Sequence, residues 1–247
     1  MATEEAQQVY LSLIIPAFNE EARIGNSLHR IFNFLRSQPY SFEVIIVDDG
    51  SRDRTVDLVR DRFGKHPAAR ILRQPHNQGK GEAVKQGMLS GTGDYLFFCD
   101  ADLSVPIETL PTFLSRLQNH CDVTIGTRKK TGAFIEVHQP FYREFMGKTY
   151  TLLSNWILAS HVSDFTCGFK GFRREAARAL FPLQRMKNWS FDSEILHLAQ
   201  LKGYQVEEIP VTWRDDKATK VRLWRDVVSS LLGLMNIRAN QYLGRYK

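Results

Sequence analysis

Two carboxylates one residue apart, Asp100 and Asp102, follow the apolar run Phe97-Phe98-Cys99. Successive side chains on a strand alternate faces, so a strand ending here sends both carboxylates the same way. Like charges held side by side repel, and desolvation adds to the cost, so such a corner calls for a cation. A divalent ion carrying a diphosphate suits it, because hard oxygen ligands select Mg2+ or Mn2+ and substrate phosphates complete such sites. The tripeptide taken alone is more often a solvated turn. The rest of the chain decides between the two.

The elements that must position this corner are readable from the pattern. Apolar runs at 11–16, 42–47, 70–73, 94–99 and 121–126 alternate with helical patterns. Ile24, Leu28, Ile31, Phe32 and Leu35 mark one helix. Asp53 and Thr55 open a second through Phe63, Ala83, Val84 and Met88 lie in a third, and Pro106 begins a fourth. This alternation predicts an α/β fold, a mostly parallel sheet flanked by helices on both faces. Ligands bind such sheets beyond the carboxyl ends of the strands, where Asp48-Asp49, Asp100-Ala101-Asp102 and Gly126-Thr127-Arg128 all fall.

After Arg128 the alternation stops. Residues 129–139 read as a loop, and 145–160 as a helix with a core-facing stripe of Tyr150, Leu153, Trp156 and Ile157. Residues 164–170 read as irregular, 174–181 and 192–202 as short helices, and 206–213 as a strand. A C-terminal amphipathic helix is expected over 223–242, with Leu223, Trp224, Val227, Val228, Leu231, Leu234 and Met235 on one face and Arg222, Arg225, Arg238, Arg245 and Lys247 flanking it. That profile suits a helix lying in a membrane surface, or one packed on the core or a second subunit. The expected division is therefore a domain over 1–222 and a helical segment over 223–247.

The chain has 247 residues, 43% hydrophobic and 24% charged, enough for one substantial core. A formal charge of +6 favours an anionic partner, and without a basic run or nucleic-acid motif that partner is not nucleic acid. The polar first ten residues lack a secretory pattern, and no run nears 18 apolar residues. Three cysteines without metal-ligand spacing read as reduced core thiols. The expectation is a cytoplasmic protein, peripheral on the cytoplasmic face of a membrane.

Four motifs occur together: Ile15-Pro16-Ala17-Phe18-Asn19-Glu20-Glu21, Val47-Asp48-Asp49-Gly50-Ser51-Arg52-Asp53-Arg54-Thr55, Asn77-Gln78-Gly79-Lys80-Gly81 and Asp100-Ala101-Asp102-Leu103. In order and spacing they resemble the family-2 inverting glycosyltransferases of GT-A fold, a Rossmann-like nucleotide-sugar-binding architecture. Asp164-Phe165-Thr166-Cys167-Gly168-Phe169-Lys170, Trp189-Ser190-Phe191-Asp192-Ser193-Glu194 and Ile209-Pro210-Val211-Thr212-Trp213 look most like the dolichyl-phosphate β-glucosyltransferase branch. Leu103 departs from it: that branch often has Gly there, and Leu looks more like the related mannosyltransferases. The resemblance implies transfer of glucose from UDP-glucose to dolichyl or polyprenyl phosphate, with GDP-mannose as the alternative donor. A soluble family-2 enzyme with a hydroxyl acceptor, or a nucleotide-sugar sensor without turnover, keeps the same fold.

The same resemblance assigns roles. Pro16, Phe18, Glu20, Val47, Asp49, Lys80, Asp100, Ala101 and Asp102 would bind the nucleotide sugar, with Asp100 and Asp102 at the metal and Asp102 its direct ligand. Glu20 also suits the first turn of a helix, and Gly79-Lys80-Gly81 offers backbone N–H groups or one cation. Arg128, Arg214 and Lys220 would hold the acceptor phosphate, with Asp102 and Arg128 the catalytic pair. A phosphate monoester has a second pKa of about 6, so it attacks already ionised and needs cations rather than a base. A hydroxyl acceptor needs a base, for which Asp192 is the candidate ahead of Glu194, which better suits first-turn charge of its helix.

Overall fold

The computed structural model describes residues 8–137, 141–214 and 223–247. Seven strands form one sheet: β1 (Leu11–Ala17), β2 (Phe42–Asp48), β3 (Ala69–Arg73), β4 (Tyr95–Cys99), β5 (Val123–Thr127), β7 (Phe169–Arg173) and β8 (Val206–Pro210), in the order β3-β2-β1-β4-β7-β5-β8. Because helices cover both faces, strand residues are buried whichever way they point, and the strands read as continuous apolar runs. Leu13, Ile15, Val44, Ile46 and Phe97 face one core under α1 (Ile24–Arg36), α2 (Thr55–Phe63) and α4 (Leu110–Asn119). Ile14, Ile45, Val47 and Phe98 face the other, under α3 (Lys80–Ser90), α6 (Arg174–Leu180) and α7 (Phe191–Leu201). From β1 the chain runs outward through β2 and β3, then returns to place β4 on the other side of β1. That reversal opens a crevice at the carboxyl ends of β1 and β4.

Three expectations change. Residues 164–170 do not stay irregular, since β7 begins at Phe169 and runs antiparallel between β4 and β5. It is only 5 residues long, with one glycine inside it at 171 and another just before it at 168, which weakens its signal as a strand. The 129–139 loop contains β6 (Phe134–Val137), paired with β9 (Thr212–Arg214) in a separate two-stranded sheet. The single strand expected over 206–213 is therefore two. Pro210 closes β8, Val211 N donates to Thr127 O, and the chain crosses to β6.

The last correction concerns the helices. In α5 (Phe141–Leu158), Ser154 and Leu158 are buried and Tyr150 packs on the core, but Trp156 points outward at 80% exposure. In α8 (Leu223–Tyr242), Leu234 and Ile237 are fully buried whereas Met235 is exposed, so the expected single apolar face is divided. The side chains of Leu223, Trp224, Val227 and Val228 lie outside the described residues. A Cβ at Gly233 would sit 2.0 Å from Ser190 Oγ, and Tyr246 donates to the buried Glu194 carboxylate at 2.5 Å. The C-terminal segment is thus seated on α7 and the turn before it.

Candidate active site

A cleft of about 680 Å3 opens at the carboxyl ends of β1 and β4, within the usual range for small-molecule sites. Pro16, Phe18, Glu20, Asp49, Lys80, Asp100, Ala101 and Asp102 all line it, joined by Arg23, Asn188, Trp189 and Ser229 of α8. A second cleft of about 390 Å3 shares Phe18, Asn19 and Asn77 and adds Arg52, Arg73 and His76. Val47 does not join the wall. It alternates to the α3 side and is fully buried, with its Cγ2 facing Gly87.

The acidic corner holds its cations from within the chain. Lys80 Nζ lies 2.6 Å from Asp100 Oδ1 and 4.9 Å from the Trp189 ring centroid. Arg23 bonds both oxygens of Glu20 and places Nη1 3.9 Å from Asp102 Oδ2. Burial would lower the Lys80 pKa, but Asp100 and Asp192 outweigh it and the ammonium is held charged. The Asp102 pKa is raised too, by burial and the Asp100 charge against the Ser104 hydrogen bonds, but for a carboxyl that disfavours the charged form. The corner therefore keeps an unmet demand for positive charge. Among the described residues no third His, Cys, Asp or Glu joins these two as a metal cluster, so a divalent ion held here would take its other ligands from a diphosphate and water.

Asp49 is engaged otherwise than the sequence suggested. Its oxygens accept from Gln78 N at 2.6 Å, Gly79 N at 2.9 Å and Asn77 Nδ2 at 2.9 Å. It organises the turn into α3, while Asp53 accepts from Thr55 N at the start of α2. Gly81 N is spent on Lys187 O at 2.8 Å. Of what the 79–81 turn offers a ligand, the Lys80 cation is therefore the stronger part. Cβ atoms at Gly79 and Gly81 would meet Lys187 O and Met186 O at 2.4 and 2.6 Å, so these glycines admit the 186–189 segment that carries Trp189 over Lys80.

The motif at 164–170 builds the rest of the site, a role that nothing in its residue types or spacing announces. Asp164, fully buried, receives Arg128 Nε at 2.7 Å and Nη2 at 2.9 Å. Burial would raise the Asp164 pKa, but Arg128 drives it well below the usual carboxylate range. The Arg128 guanidinium also lies 5.2 Å from the Trp213 ring centroid, and Trp213 lines a small crevice with Asp100, Ser104 and Gly168. Gly168 lies against Asp100, where a Cβ would come within 1.9 Å of Oδ2. Lys170 pairs with Asp192 at 2.5 Å, both buried. Asp192 is thus no open base. Arg128 itself lines none of these clefts, Arg214 is exposed on β9 and lines none either, and Lys220 lies outside the described residues.

Leu103 has φ +51°, the left-handed region that favours glycine. The conformation costs about 1–2 kcal/mol, and burying the leucine side chain recovers about 1.5–3 kcal/mol; Leu103 is 7% exposed. Glycine and leucine are thus two solutions to one turn.

Arg128→Ala leaves the Asp164 carboxylate buried and uncompensated, and is expected to cost about 3–5 kcal/mol in urea denaturation. Removing Asp164 as well should recover part of that loss. Because the folded pKa of Asp164 lies below its unfolded value, the pair's stabilisation is present at neutral pH and is lost as pH falls through the folded value.

The Glycosyl transferase family 2 profile matches residues 12–181. A dolichyl-phosphate beta-glucosyltransferase of Trichomonas vaginalis is 33% identical over 226 residues, 87% of this chain and 67% of that protein. The Saccharomyces cerevisiae dolichyl-phosphate beta-glucosyltransferase is 33% identical over 264 residues, 99% of this chain and 78% of its own. Among solved structures, the Mycobacterium tuberculosis glucosyl-3-phosphoglycerate synthase in complex with Mn2+, UDP-glucose and phosphoglyceric acid superposes with TM-score 0.71 at 18% identity, covering 94% of this chain and 80% of that one.

Proposed function

Since this chain belongs to glycosyl transferase family 2, we propose that it transfers glucose from UDP-glucose to dolichyl or polyprenyl phosphate with inversion at the sugar. The observation that carries the reading is the cleft itself: an acidic corner, an ammonium and an ordered turn, in a chain whose relatives are named for this reaction. The solved fold neighbour with Mn2+ and UDP-glucose supports a metal-bound donor of this type.

Pro16 and Phe18 offer the nucleoside an apolar wall, and Asp49 holds the 77–79 turn against which it rests. Asp100 and Asp102 would hold Mg2+ or Mn2+, whose chemistry is to neutralise the departing diphosphate. Lys80 adds a point charge to the same leaving group. Arg128, kept in place by Asp164 beside Trp213, which lines the Asp100 crevice, is the cation we assign to an incoming phosphate monoester. Its guanidinium orients that nucleophile, which is already ionised near neutral pH. Arg214 and Lys220 would assist from the segment after β8. The Lys170–Asp192 pair supports a phosphate over a hydroxyl acceptor, since a carboxylate already neutralised by a buried ammonium is a poor base.

We place the enzyme on the cytoplasmic face of a membrane, bound peripherally. No helix among the described residues is long and apolar enough to cross one. Phe145, Leu152 and Trp156 on α5 are 61%, 70% and 80% exposed and share one helical face by their spacing, which suits an interface where a polyprenyl phosphate is collected. The test is incubation with UDP-glucose or GDP-mannose and a short polyprenyl phosphate in vesicles, with the lipid product weighed by mass spectrometry. Glucosyl phospholipid formed from UDP-glucose is expected. Product from GDP-mannose alone, or transfer only to hydroxyl acceptors, would overturn the reading.

A further inference from the structure

Lys80 stands where three constraints meet. Its backbone is pinned at the start of α3, between Gly79 N bound to Asp49 and Gly81 N bound to Lys187 O. Its ammonium lies 2.6 Å from Asp100 Oδ1 and 4.9 and 6.0 Å from the centroids of the Trp189 and Phe191 rings. The other carboxylate behind it, Asp192, is buried and already occupied by Lys170. Asp100 is therefore the partner that holds Lys80 at the cleft wall.

We propose that Lys80 is a resident cation that guards Asp100 in the empty protein and releases it only when a nucleoside diphosphate arrives with the divalent ion. The inference rests on reading the cleft as the donor and metal site. A divalent ion sits about 2.0–2.1 Å from a carboxylate oxygen if it is Mg2+, and an ammonium cannot remain hydrogen-bonded to that same oxygen beside it. An ion arriving alone must expel Lys80 toward Trp189 and Phe191, whose ring faces attract a cation but supply no counter-charge. An ion arriving with a diphosphate brings the anion that Lys80 needs. The flexible four-carbon stem lets Nζ pass from Asp100 to a phosphate oxygen without moving the helix. Ion and nucleotide thus bind with strong mutual coupling, and the coupling is reciprocal.

Calorimetry on the full chain separates these terms, using Mn2+ alone, UDP alone and Mn2+ with saturating UDP. The wild type is expected to bind Mn2+ alone weakly and to tighten about tenfold or more with UDP. In Lys80→Met, Mn2+ alone should bind about fivefold tighter than in the wild type, while the gain from UDP shrinks. Lys80→Gln, which keeps a polar end, should give the same pattern and so separates charge from packing. If both variants bind Mn2+ alone no tighter than the wild type yet still bind Mn2+ with UDP, the guarding role is overturned and the donor site stands. If the wild type itself binds no UDP with Mn2+, the donor reading fails and this inference with it.

Discussion

Asp102→Asn is expected to reduce kcat/KM by about a thousandfold or more while the protein stays folded. Charge neutralisation at the leaving group contributes several kcal/mol, and each 1.36 kcal/mol is about a factor of ten in rate. The asparagine oxygen can still accept from Ser104 N, as Asp102 Oδ1 does at 2.9 Å, so the turn is kept. Stability should move the opposite way. Burial and the Asp100 charge raise the folded pKa of Asp102 above its unfolded value. Its contribution to stability is then full below the ordinary carboxylate range and lost as pH rises through the raised value. At neutral pH an ionised Asp102 is a cost the fold carries for function, and the amide removes it. Without metal the variant should melt no lower than the wild type by calorimetry. Full activity retained, or a clear fall in melting temperature, would count against the role given to this residue.

Gly168→Ala is expected to be almost as damaging, although glycine brings no side chain to the site. Its Cβ would fall 1.9 Å from Asp100 Oδ2 and 2.4 Å from Cγ, distances no real contact allows. Asp100 has a short side chain and a backbone N–H bonded to Gly168 O at 3.1 Å, so its carboxylate must rotate away from the cleft wall. The Lys80 pair and the metal corner are then lost together. A displacement of about 1 Å in such a group costs about a hundredfold in rate, and kcat/KM should fall by at least that. Gly171→Ala provides the contrast. Its Cβ would strike the Phe97 ring at 2.3 Å, within the core. That variant should lose stability in urea in proportion to its activity, whereas Gly168→Ala should lose activity out of proportion to stability. Equal behaviour of the two would mean that Gly168 serves packing alone.

The wall of the cleft was legible from local pattern. Pro16, Phe18, Glu20, Asp49, Lys80, Asp100, Ala101 and Asp102 come together there because each sits at or just beyond the end of a strand or at a helix start. In an alternating α/β chain, those local positions converge at one edge of the sheet. Val47 was misplaced for an equally local reason, since one step along a strand reverses the face. The partner of each charge, by contrast, came only from long-range packing. Arg23 reaching Asp102, Lys80 meeting Asp100, Asp164 clasping Arg128 and Lys170 holding Asp192 pair residues on different elements, apart from any spacing rule. Three of these pairs depend on β7 or the segment before it, a short glycine-flanked strand whose place between β4 and β5 follows from pairing partners distant in the chain. The burial of Leu234 and Ile237 in α8 has the same origin: a helix carries an apolar face in its sequence, but the surface that covers it belongs to the rest of the molecule.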